Sequence, residues 1–178
     1  MTINYKGLSY KLHEFLGEAD LKEKLRNHYK KFFFRSKPLD FFSRSLSFSE
    51  LQIEEYFEHL CSNCLIISAH QENRIVGFIA FDFKLKSLTI PQKYIKFINK
   101  LNQSNCCEFV FASSESNSLM ELRFLVFQIL QYIKQKYNKK FILGNFNRKH
   151  KKHKFKKVAE RIFKFNILEE DFTFHEIP

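Results

Sequence analysis

The stretch Glu108–Tyr137, EFVFASSESNSLMELRFLVFQILQYIKQKY, decides the fold. It opens with a β-branched and aromatic run, Phe109–Phe111, and continues through Ser113, Ser114, Glu115, Ser116, Asn117 and Ser118. Apolar residues then recur at Leu119, Leu122, Val126, Ile129, Leu130, Ile133 and Tyr137. Steps of three and four place these residues on one face of a helix. The stretch therefore reads as strand, turn, helix. A helix that begins just past a strand end leaves backbone N–H groups and the positive end of its dipole in the turn, where a phosphate can be held. The serine and asparagine side chains would add donors. The same residue types are also ordinary helix N-caps. The turn has no glycine, which keeps the backbone further from a pyrophosphate.

Outward from this stretch, the most distinct local pattern lies upstream. Cys64–Ala69 reads as a strand, His70–Arg74 as a polar turn and Ile75–Phe83 as a second strand, because both runs are rich in sheet-favouring residues. Before them, Ser47-Phe48-Ser49-Glu50 fits a capping box, starting a helix that carries Leu51, Tyr56, Phe57 and Leu60. Arg35–Leu46, interrupted by Pro38 and several serines, reads as a loop. Leu21, Leu25, Tyr29 and Phe32 mark an earlier amphipathic helix, and Gly7–Phe15 a first strand. Between the hairpin and the deciding stretch, Pro91 precedes Tyr94, Ile95, Ile98 and Leu101, which suggests a short helix within Lys84–Asn105. Downstream, Lys140–Phe146 reads as a strand. Phe155, Val158, Ala159, Ile162 and Phe165 form a helical stripe, and Ile167–Ile177 supplies one or two strands. No repeat or linker divides the chain, so residues 1–178 are expected to form one domain.

The length, 178 residues, allows a sizeable core. The formal charge of +11 favours an acidic or phosphorylated partner: nucleic acid, a nucleotide cofactor, an acidic carrier protein or an anionic surface. The densest basic run is Arg148–Lys157. It suits either a cofactor or carrier contact, or a sequence-independent grip on nucleic-acid phosphates. Cys61 and Cys64 have a zinc-knuckle spacing, but the other pair, Cys106 and Cys107, is adjacent and fits a tetrahedral site less easily. No metal is expected. No signal pattern opens the chain and no apolar run approaches membrane-spanning length, so a soluble cytoplasmic protein is expected.

The order strand, two helices, strand hairpin, strand–helix–strand–helix and strand tail resembles the GCN5-related N-acetyltransferase (GNAT) fold. The best local match is LIISAHQENRIVGFIAFDF, Leu65–Phe83, which looks like the central hairpin of that family. The resemblance implies an α/β protein with a central twisted mixed sheet of about six to seven strands flanked by helices. It also implies an acyltransferase taking an acyl group from acetyl-CoA or another acyl-CoA to an amine acceptor. The family's pyrophosphate motif, with its Arg or Gln and two glycines, is absent from Ser114–Met120, and Phe163 stands about where a general-acid Tyr is often found. The layout is also similar to the toxin-activating lysine acyltransferases, which lack the glycine loop and draw on acyl carrier protein. Asp40, in Ser-Lys-Pro-Leu-Asp, stands where those enzymes carry a catalytic His.

Amine acylation needs a base for the amine, a donor that polarises the thioester carbonyl and a means of stabilising the leaving thiolate. Glu108 is the first candidate base, with Asp82 and Asp40 behind it. The resemblance implies donor-binding positions at Val110, Phe111, Ala112, Ser113, Ser114, Ser116, Asn117 and Ser118, and at Asn147 and Lys149. The backbone around Val110–Ala112 would polarise the carbonyl if its strand parts from the next one. The alternative is a catalytically inactive module of the same fold that binds nucleic acid or an acidic protein through its basic face.

Overall fold

The computed structural model describes residues 1–33, 49–85, 103–115, 118–145, 166–169 and 172–177. The proposed helices within Lys84–Asn105 and around Val158–Phe165, the loop with Asp40, the residues Ser116, Asn117, Asn147 and Lys149, and the basic run Arg148–Lys157 lie outside them in whole or in part.

The chain is a mixed α/β protein. Its strands are β1 (Thr2–Tyr5), β2 (Leu8–Glu14), β3 (Leu65–Gln71), β4 (Arg74–Asp82), β5 (Cys106–Ser114), β6 (Phe141–Asn145), β7 (Asn166–Glu169) and β8 (Phe172–Glu176). Its described helices are α1 (Ala19–Phe33), α2 (Glu50–Asn63) and α3 (Leu119–Tyr137). The described residues form eight strands, one more than the upper expectation, and the extra one is β1. The tail folds back as the antiparallel pair β7–β8. Residues 1–80 and 112–116 form one compact unit, and residues 81–111 and 117–178 form another. β4 and β5 each contribute residues to both.

In the first unit the strand order is β1-β2-β3-β4. Tyr5 pairs with Leu8, so Lys6 and Gly7 alone turn the chain, at φ 49° and 81°. Such a primed two-residue turn matches the twist of the strands it joins, and it makes β1 a strand that the sequence pattern missed. β2 pairs antiparallel with β3, His13 opposite Ser68. The β3–β4 turn is tighter than expected, only Glu72 and Asn73, because both strands extend into the polar residues flanking it. α2 starts two residues later than the capping pattern suggested. Ser49 is the N-cap, its Oγ accepts from Gln52 N–H, and the Gln52 side chain accepts from the Ser49 N–H. Ile53, Phe57 and Leu60 of α2 are buried, and Leu51 is 67% exposed. Ion pairs join α1 to α2: Lys22 and Arg26 reach Glu58 at 2.6 and 2.8 Å, and Lys30 reaches Glu54.

In the second unit the order is β5-β6-β8-β7. β5 runs parallel to β6, and β6 antiparallel to β8. α3 buries Leu125, Val126, Ile129, Leu130 and Ile133, close to the expected stripe, and ends on Asn138 in the left-handed region (φ 52°). Phe81 meets Phe109 edge-on at 5.9 Å. Lys139, itself buried, donates to the Ser104 carbonyl at 2.7 Å and lies over the Phe83 ring.

Candidate active site

β5 carries most of those expected site residues that are described, and its pairing changes along its length. Cys106, Cys107 and Glu108 are in register with Phe141, Ile142 and Leu143 of β6. β6 then continues through Gly144 and Asn145, which pair with Thr173 and Phe172 of β8. Among the described residues no β5–β6 register pair lies beyond Glu108, so the ladder between the two parallel strands ends there.

Glu108 sits at this end of the ladder and is 1% exposed. Phe109, Val110 and Phe111 follow it and are buried. Asp82 ends β4, is also buried, and its Oδ1 accepts from the Lys84 N–H at 2.7 Å, closing a local turn. Cys106 and Cys107 open β5, where burial raises both thiol pKa values. Cys61 lies on α2, and burial pushes its thiol up to about 11. Among the described residues no group of three or more His, Cys, Asp or Glu side chains could hold a metal ion, and no helix is long and apolar enough to cross a membrane.

The serines expected in the turn divide. Ser118 is the N-cap of α3, accepting from Glu121 N–H at 3.3 Å. Ser113 and Ser114 instead complete β5. Ser113 is buried, and its Oγ lies 3.0 Å from Nε2 of His28 on α1. The other ring nitrogen, Nδ1, lies 3.5 Å from Oε1 of Glu115. Oε2 of Glu115 is 3.7 Å from Nε of Arg74, the first residue of β4. Two features hold this end of β5 against β4. The Glu115 N–H donates to the Val76 carbonyl at 2.7 Å, and Gly77 is so close that a Cβ there would stand 2.7 Å from the Ser113 carbonyl oxygen. His28 carried no signal in the sequence: it lies on the inner face of an ordinary amphipathic helix, 85 residues from the serine it meets.

The fold is that of the GCN5-related N-acetyltransferases. Among solved structures it is similar to the aminoglycoside 6'-acetyltransferase type Ii, with a TM-score of 0.61 and 13% identity over 94% of this chain and 97% of that one. It is similar to the Campylobacter jejuni N-acetyltransferase PseH in complex with acetyl coenzyme A (TM-score 0.53, 16% identity, 94% and 96% covered). It is also similar to FeeM, an N-acyl amino acid synthase from uncultured soil microbes (TM-score 0.60, 10% identity, 94% and 90% covered). No protein-family model matches the chain, and no curated protein does.

Proposed function

We propose that the protein is an N-acyltransferase, a single catalytic domain that moves an acyl group from an acyl-CoA or an acyl carrier protein to an amine. The observation that carries this reading is the end of the β5–β6 ladder after Glu108 and Leu143. Where parallel strands separate, the backbone edge of Val110–Phe111 turns toward a thioester rather than toward β6. A fixed N–H there polarises the thioester carbonyl without reorganising during the reaction. Glu108, at the end of that ladder, takes the proton from the attacking amine, with Asp82 and Asp40 as the other carboxylates of this role. The fold supports the donor class: PseH, of the same fold, is known in complex with acetyl coenzyme A. The charge of +11 suits either a polyphosphate donor or an acidic carrier.

Thermal unfolding with CoA, acetyl-CoA and a long-chain acyl-CoA tests the reading. A donor at about 100 times its Kd stabilises by roughly 2.7 kcal/mol, which raises Tm by a few degrees for a chain of this size. The acyl length giving the largest shift names the donor to carry into turnover assays with amine acceptors. Absence of a shift with all three, and of turnover with an acylated carrier protein, would overturn the proposal.

A further inference from the structure

Ser113, His28 and Glu115 lie outside the carboxylate-based scheme above, yet they have the arrangement of an activated nucleophile. A serine hydroxyl is a poor nucleophile unless a base stands within hydrogen-bond reach and a third group orients that base. Both conditions are met. Ser113 Oγ and His28 Nε2 are 3.0 Å apart. The carboxylate of Glu115 faces Nδ1 at 3.5 Å. A carboxylate at Nδ1 draws the ring proton to that nitrogen, leaves the lone pair on Nε2 and stabilises the imidazolium once it forms. The Ser113 hydroxyl then donates to Nε2. Arg74 Nε stands 3.7 Å from the other carboxylate oxygen. The backbone is fixed as well, because the Glu115 N–H bond to Val76 and the bare Cα of Gly77 set the position of Ser113 to within a close contact. The cluster is not sealed. His28 and Ser113 are 6% and 7% exposed, whereas the Glu115 and Arg74 side chains are 18% and 70% exposed, so solvent lies one side chain away.

We infer that Ser113, His28 and Glu115 form a nucleophilic centre that accepts an acyl group from an activated ester or thioester. In the first step the Ser113 Oγ–H proton passes to His28 Nε2 and Oγ bonds to the acyl carbonyl carbon. The bond from that carbon to the leaving oxygen or sulfur breaks. A leaving thiolate takes the proton back from His28; a phenolate departs as the anion and His28 releases its proton to water. In the second step water or an amine attacks the acyl-serine ester with His28 as base, which gives the carboxylate or the amide and restores the Ser113 hydroxyl. With a thioester donor this deepens the acyltransferase reading. With an ester donor it stands without it.

The full chain is mixed with p-nitrophenyl acetate in one arm and with acetyl-CoA in the other, quenched in acid and mapped by peptide mass. The expected result in the first arm is a burst of p-nitrophenolate and an acetyl group on Ser113 that hydroxylamine removes, as it removes esters but not lysine amides. Ser113→Ala abolishes this adduct, Ser113→Cys restores one as a thioester, and His28→Asn slows its formation about 100-fold. Glu115→Gln slows it less and shifts its pH profile. An adduct in the ester arm with none in the acetyl-CoA arm keeps the nucleophile and removes CoA as the donor to Ser113, while direct transfer assisted by Glu108 is judged by the melting and turnover assays. The inference is overturned if the folded protein, checked by its melting curve, gives no Ser113 ester in either arm. It is equally overturned if Ser113→Ala labels as the wild type does.

Discussion

Two buried serine–histidine contacts lie in the same compact unit and differ in what stands behind them. In one, Ser113 Oγ meets His28 Nε2 at 3.0 Å. In the other, Ser68 Oγ meets His70 Nε2 at 2.8 Å. Distance does not separate them. Ser68 Oγ also lies 3.3 Å from the His13 carbonyl oxygen, which can only accept. One hydroxyl proton cannot serve both neighbours. Both contacts are satisfied when Oγ–H donates to the carbonyl and Nε2–H donates to Oγ, and that leaves Ser68 with no proton to give a base. The neighbouring ring of His13, at 4.6 Å between centroids, offers no carboxylate to hold a second proton. Burial, then the nearby His13 and Lys24, lower the His70 pKa to about 4. At the Ser113 contact a carboxylate replaces the second histidine, and the polarity of the hydrogen bond reverses. The third group, rather than the pair itself, separates a nucleophile from a structural bridge.

The sharpest way to break this comparison is to remove each hydroxyl in turn. Ser113→Ala should abolish ester-type labelling by p-nitrophenyl acetate, whereas Ser68→Ala should leave labelling at the wild-type rate and cost about 1 kcal/mol in urea unfolding. Equal labelling of the two variants would erase the distinction. Next in size is Gly77→Val. Its Cβ would fall 2.7 Å from the Ser113 carbonyl oxygen, and backbone must move to admit it. A loss of roughly 2–3 kcal/mol is expected, with slower Ser113 labelling in the protein that remains folded, while Gly7→Ala, at a turn with open space around it, should leave labelling intact.

The His70 contact is sharpened by pH. Its folded pKa lies below the unfolded value of about 6.5. Between about 6.5 and 4 the unfolded chain therefore binds more protons. The contribution of His70 is full above the unfolded pKa and is lost as pH falls through that window, on the order of 3 kcal/mol in total. His70→Gln should flatten stability over this range when Tm is followed against pH; an unchanged slope would assign the acid sensitivity elsewhere. The smallest effect tests the start of α2: Ser49→Ala should cost about 1 kcal/mol, and Ser47→Ala close to nothing, in the same unfolding assay.

The sequence made the elements legible where periodicity and turn chemistry agreed. The β3–β4 hairpin stood out through its β-branched runs, and α3 through its stripe. β1 was missed because Lys6-Gly7 is a weaker turn signal than Asn-Gly. The α2 cap slipped by two residues because Ser47 and Ser49 both precede an acidic or amide residue three positions on. The candidate site was less legible. Glu108 and Asp82 were identifiable as carboxylates in strands, and both proved buried. His28 was invisible, since nothing local to α1 distinguishes a core histidine from one aimed at a strand 85 residues away. Ser113 was noticed for a different role, as a donor in a phosphate turn, because the strand end could not be placed from a run of small polar residues.

The adjacent cysteines at the start of β5 have a practical consequence. Cys106 and Cys107 stand on the three-residue parallel pairing with β6, fully buried and with few thiolates at neutral pH. An alkylating reagent can reach them only when the packing around the start of β5 opens. Their modification rate in the native protein is thus a built-in clock for local opening around the start of β5, readable without introducing any label.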